Sequence, residues 1–440
     1  MSAMKKNLLY VYGVNFVNGL AGLAFIPLAL HSLGAEGYGI YSIFIILTSY
    51  IYFVEMGVAK YFTRTIAQTY LVEDQRNKMQ TAVGTYIRIA LILLCLMPFL
   101  LYIIPKYIFI LDENGIIGKM VILSILDYLF SIPVAILLAF NTGKEQFYKI
   151  SKYNLISGIT RHAFLICGVL LFKSVIVLIC IIVIRRFFDL VYAFRYLDPL
   201  PEGAWKPTYK KGEFLKIINH SLFLSAAQLL QITILAVGTY LVNKNFSLVE
   251  VGIYKSSFDI ATKVWFLSNG LGMVIFPRFS NLITDKNSKK ALLNKLGVYL
   301  KGSWILYNVC FLIVFFIYPN IPNILLIEDF NLFFLLLLGV CLNAHTNLSY
   351  EFLQADSRLK EVIIISVTVL ISMIVGFYLI VDKIGLYAVG LSWLGSQLFY
   401  SLVMDYSAIK DLKFRKWIST LLFNFGVFLS VVVLLILFTN

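Results

Sequence analysis

Along the chain, long apolar runs alternate with short polar breaks. Each run is close to the ~20 residues that an α-helix needs to cross a bilayer. The pattern therefore predicts spans at 8–30, 40–62, 81–104, 120–140, 153–172 and 175–194. After a polar break come 217–242, 253–276, 296–318, 332–352, 362–381 and 386–407, and a thirteenth run, 417–438, ends the chain. The first run follows "MSAMKKN", is too long for a signal-peptide core and lacks a small-residue cleavage site, so it reads as an uncleaved span. The longest external break, 105–119, is too short to hold a catalytic domain. The expectation is an all-α polytopic membrane protein.

The break "RYLDPLPEGAWKPTYKKGEFLK" carries three prolines and a basic cluster, and it divides the chain into two blocks of six spans. The predicted domains are 1–197, a cytoplasmic linker 198–216, a second six-helix lobe 217–409, and a basic segment with the extra helix, 410–440. An even number of spans per block means that both blocks enter the membrane in the same direction. The blocks also resemble one another. "GIY" at Gly39–Tyr41 recurs at Gly252–Tyr254, an offset of 213, and Gly57 matches Gly270 at the same offset. Phe140 matches Phe352 at 212, and the spans at Val175 and Leu386 start 211 apart. Such a parallel duplication puts the substrate path between two lobes related by an axis along the membrane normal.

Composition agrees: 60% of the residues are hydrophobic and 14% charged. The net charge of +14 raises nucleic acid as a partner, but its distribution points elsewhere. With the N-terminus inside, twenty-six lysines and arginines fall in cytoplasmic segments and six in external ones. That is the positive-inside bias, with anionic lipid headgroups as neighbours. Cys95, Cys167, Cys180, Cys310 and Cys341 all lie within apolar runs, without CxxC or histidine spacing, so neither disulfide nor metal is expected. "GAEGYG" at 34–39 is no phosphate loop, because no strand precedes it; its glycines serve a turn.

"LGAEGYGIYSIF", "FVEMGVAKYFTR", "VGIYKSSFDIA" and "KIGLYAVGLSW" resemble the Wzx-type polysaccharide flippases, which share a superfamily with MATE antiporters and lipid II flippases. The resemblance implies a two-lobed helical transporter with a central cavity that works by alternating access in the bacterial cytoplasmic membrane. It implies as substrate an oligosaccharide linked through pyrophosphate to undecaprenol. Polymerase and chain-length proteins of the same pathway are the implied partners. Family members commonly have twelve spans, so the thirteenth is a departure.

Ionisable residues inside spans are costly, and they usually face protein or water. Arg185 and Asp189, at i,i+4, are placed to pair on one helix face, whereas Arg186 has no acid nearby in sequence. Arg186 either meets a phosphate in a hydrated cavity or snorkels with Arg185 to the cytoplasmic headgroups. Arg88 and Arg161 lie in other spans, and Lys255, Asp259 and Lys263 form an i, i+4, i+8 stripe with one excess positive charge. Arg88, Arg161, Arg186, Lys255 and Lys263 are the candidate headgroup ligands. Glu55, Asp127 and Asp259 are the candidate sites for H⁺ or Na⁺ coupling, although Asp127 has the alternative of pairing with a basic residue on another helix. His220 and His345 stand among asparagines, which suggests interhelical hydrogen bonds. A MATE-type antiporter and a membrane polymerase are the competing readings. The first wants an acidic cavity, and the second wants a larger external loop.

Overall fold

The computed structural model describes residues 3–69, 75–103, 116–144, 146–201, 203–205, 208, 211–265, 268, 286–317, 329–356, 358–410, 418–419 and 422. Among these residues there are helices and turns and no strand. The helices are α1 (Ala3–Thr69), α2 (Gln75–Ile103), α3 (Ile116–Gly143), α4 (Phe147–Phe172), α5 (Val175–Tyr196) and α6 (Lys211–Asn245). They continue with α7 (Leu248–Ala261), α8 (Lys286–Ile317), α9 (Phe330–Ala355), α10 (Leu359–Ile384) and α11 (Tyr387–Ile409).

Most predicted spans correspond to one of these helices. The first two lie on α1, which is broken only at Gly34 (φ 72°). A Cβ there would meet nothing within 4 Å, so the glycine is needed for its backbone angle and not for space. The predicted loop is thus compressed to one residue. In the predicted span 253–276, α7 ends at Ala261 and tightens into a 3₁₀ turn over Thr262–Val264, and 269–276 lies outside the described residues. Apart from Ile418, Ser419 and Leu422, so does the thirteenth span. Eight stretches of the described residues are long and apolar enough to cross a membrane. α5 is not among them, because every window of 18 residues in this 22-residue helix contains Arg185, Arg186 and Asp189.

The chain forms two compact units, Met1–Gly252 and Ile253–Asn440. In the first, α1 packs on α2, α3, α4 and α6, and α5 closes on α3 and α4. In the second, α9 packs on α8 and α11, and α10 packs on α11.

The duplication appears in the backbone. α4 ends in a left-handed residue, Lys173 (φ 48°), whose N–H bonds to the Val169 carbonyl. α10 also ends at a residue of positive φ, Gly385 (φ 59°, ψ −132°), 212 residues later, whose N–H bonds to the Val381 carbonyl, although its backbone is not the left-handed helical one of Lys173. The "GIY" glycines also have a matched role within the first unit. A Cβ on Gly39 would lie 2.8 Å from the Leu248 carbonyl oxygen, and one on Gly252 would lie 2.0 Å from that of Ala35. Ala35 and Leu248 are themselves 213 apart, so α1 and α7 cross reciprocally, each through the other's glycine.

A third correspondence reverses in sign. After α5, Asp198 binds Lys144 at 3.1 Å and also Lys149, which fastens the α3–α4 turn. Its backbone exchanges two 3.1 Å hydrogen bonds with the side chain of Asn141. After α11, Lys410 binds Glu361 at 3.0 Å. Positions 149 and 361, and 198 and 410, are each 212 apart. The two latches are equivalent, with cation and anion exchanged.

Candidate functional site

α5 is the charged helix of the first unit, and Arg185 and Arg186 lie halfway along it. The predicted pair forms: Arg185 Nη2 is 2.6 Å from Asp189 Oδ2. The same guanidinium donates to the Ser157 carbonyl of α4 at 2.7 Å and to the Ser157 hydroxyl. Tyr153 Oη, one turn away on α4, is 3.4 Å from the Asp189 carbonyl oxygen. Arg185 and Asp189 are buried, 7% and 5% exposed in their side chains. This pair holds α4 against α5.

Arg186 has an acid that its neighbourhood in sequence does not reveal. Its Nε donates to Asp127 Oδ1 of α3 at 3.0 Å. Tyr52 of α1 donates to the other oxygen of Asp127 and stands 3.4 Å from Arg186 Nη2. The guanidinium carbon lies 5.4 Å from the centre of the Tyr52 ring, and Nη1 is 3.9 Å from Asp189 three residues on, so against the expectation from sequence Arg186 also has a nearby acid on its own helix. Of the two alternatives for Asp127, pairing across helices is the one observed. Its side chain is 5% exposed, whereas that of Arg186 is 23% exposed, so the arginine keeps an open edge.

Arg161 completes the cluster. It is exposed, one turn beyond Ser157 on α4, and it interacts electrostatically with both Arg185 and Asp189. Three arginines therefore face two aspartates, a net charge of +1. The open Arg186 edge and the exposed Arg161 present guanidinium N–H groups, which suit the paired oxygens of a phosphate or carboxylate.

The remaining candidates lie elsewhere. Arg88 is exposed on α2. Lys255 pairs with Asp259 in the second unit, its Nζ 5.5 Å from the centre of the Phe258 ring. Lys263 falls in the 3₁₀ turn, so the α-helical stripe ends at Asp259. Glu55 is on α1 and His220 on α6, with side chains outside the described ones. Among the described residues no group of three His, Cys, Asp or Glu is placed to hold a metal ion. Tyr52, Tyr153 and Ser157 were not legible in sequence; a polar residue in an apolar span was the only signal, and such residues are common here.

The family described as "Polysaccharide biosynthesis protein" matches residues 4–283. A Shigella flexneri protein named "Putative O-antigen transporter" is 22% identical over 413 residues, 89% of this chain and 94% of that protein. Among solved structures, the lipid II flippase MurJ in an inward closed conformation superposes with TM-score 0.62 at 15% identity, covering 97% of this chain and 92% of that one. The MATE multidrug transporter DinF-BH does so with TM-score 0.64 at 12% identity, covering 93% and 96%. At these identities the superpositions establish the fold.

Proposed function

We propose, given that the chain belongs to the polysaccharide biosynthesis protein family, that it is a flippase for a lipid-linked oligosaccharide. The substrate in this reading is an O-antigen or related repeat unit on undecaprenyl pyrophosphate. It moves from the inner to the outer leaflet of the bacterial cytoplasmic membrane by alternating access, for use by polymerase and chain-length proteins. The observation that carries the reading is the surplus arginine of the first unit. A guanidinium cluster with net positive charge, deep in a membrane helix bundle, favours an anionic headgroup and disfavours a cation.

A MATE-type cation antiporter shares the fold, but it needs an acid open to its cargo. Glu55 lies outside the described side chains; among the described ones, Asp127 is bound by Arg186 and Tyr52, Asp189 by Arg185, and Asp259 by Lys255. The deciding experiment is to delete the protein and measure the sidedness of the lipid-linked intermediates. Completed units should accumulate facing the cytoplasm. Units facing outward and unpolymerised would instead identify a polymerase. Unchanged intermediates with cationic dyes retained in the cells would identify a drug exporter.

A further inference from the structure

Helix α4, long and apolar enough to span a membrane, exposes two opposite faces. Ile159, Ala163, Cys167 and Leu170 are exposed and form one stripe, each three or four residues from the next. That stripe carries no charge, as suits contact with acyl chains. Asn154 and Arg161 are exposed as well, two turns apart and about 180° around the helix from the apolar stripe. A charged side chain near the middle of a spanning helix faces protein or water and not lipid. The second exposed face of α4 is therefore the hydrated one.

This hydrated face occupies only part of the helix. Beyond Arg161 the same side is covered, since Leu165 and Gly168 are buried. Between Asn154 and Arg161 the floor is polar too. Gly158 leaves room there for Asn18 of α1, whose Oδ1 would lie 2.0 Å from a Cβ on that glycine. The open stretch thus starts at a carboxamide, passes over a second one and ends at a guanidinium. Arg161 belongs to the arginine cluster already described, through its electrostatic interaction with Arg185 and Asp189. Asn154 has no part in that cluster.

We propose that this stretch of α4 recognises the sugar of the headgroup, with Arg161 on the phosphate and Asn154 on hydroxyls of the sugar attached to it. The inference rests on the flippase reading and adds to it a residue that tells a glycosylated carrier from a bare one. A carboxamide donates and accepts at once, so Asn154 can bridge neighbouring hydroxyls of a sugar ring. A guanidinium only donates and carries charge, which suits phosphate oxygens. Two turns of helix separate the two positions by about 10 Å. A phosphate held by Arg161 therefore leaves Asn154 untouched, whereas a sugar linked through pyrophosphate extends the ligand far enough to meet it.

The test measures binding to the full-length protein in lipid nanodiscs with two probes. One is undecaprenyl pyrophosphate, and the other is the same carrier bearing the cell's own oligosaccharide, extracted from cells that lack the protein. Arg161→Ala should weaken both. Asn154→Ala should weaken the glycosylated carrier about threefold to tenfold and leave the bare carrier unchanged, and Asn154→Gln should recover part of the loss. Unchanged binding in Arg161→Ala, or an equal effect of Asn154→Ala on both probes, would overturn the proposal while leaving the flippase reading intact. A wild type that binds neither probe would remove that reading and the proposal together. The hydrated face is checked separately with a charged, water-soluble maleimide, which should label Asn154→Cys above the level of the native cysteines and leave Ile159→Cys at that level. Labelling of Ile159→Cys as fast as Asn154→Cys would overturn the assignment of the two faces.

Discussion

Arg186 is half-enclosed: its Nε and one Nη are bound by Asp127 and Tyr52, while part of the guanidinium stays open. Breaking a buried ion pair from one side strands the other charge and costs about 3–5 kcal/mol, whereas removing both charges costs much less. Arg186→Ala and Asp127→Asn should therefore each lower the unfolding temperature in detergent, and the double variant should recover much of the loss. Additive effects would show that the two do not act as a pair. Arg186→Lys should retain part of the transport lost in Arg186→Ala, since charge survives while the bidentate fork does not. The Arg185–Asp189 pair was legible in sequence because helix geometry sets i,i+4 contacts. The Arg186–Asp127 pair was not, because its partners are 59 residues apart and only the packing of α3 on α5 brings them together.

Among the elements, the α1–α7 crossing is the most sensitive to side-chain size. Gly252→Ala forces a methyl against the Ala35 carbonyl and should cost about 1–3 kcal/mol by overpacking. Gly34→Ala meets no atom and should act through its positive φ alone. Thermal unfolding of the two variants, compared with Gly395→Ala in open helix, separates the causes. The Asp198 latch makes a different prediction. The hydrogen bond from Lys149, aided by Gln146 and Lys144, holds the Asp198 carboxyl below the usual carboxylate range, at about 2. A depressed carboxyl stabilises the fold above its unfolded value and loses that contribution as pH falls toward its folded one. Stability should thus decline between pH 4 and 2, and the decline should be smaller in Asp198→Asn, as measured by acid titration of the α3–α5 contact. The spans were legible because the bilayer imposes their length. The one-residue break at Gly34 and the early end of α7 were not, since hydropathy reports burial and says little about backbone angles.

For the whole molecule, the lysine and arginine bias predicts that the N-terminus and the segment around Lys211 lie in the cytoplasm. Reporter fusions check this: alkaline phosphatase joined after Lys211 should be inactive, and a cytoplasm-active reporter should be active there. Phosphatase activity at that junction would reverse the orientation. The duplicated plan was visible in sequence as a few matches at one offset, while the matched positive-φ helix ends and the reversed latches needed coordinates. The reversal has a consequence for biosynthesis. A protein made of two similar halves emerges from the ribosome with each terminal helix able to dock on the wrong sister. In such a misdocked chain Lys149 would face Lys410, and Asp198 would face Glu361. Both encounters repel, so the opposite polarity of the latches disfavours docking of either helix on the other half while the chain is still being assembled.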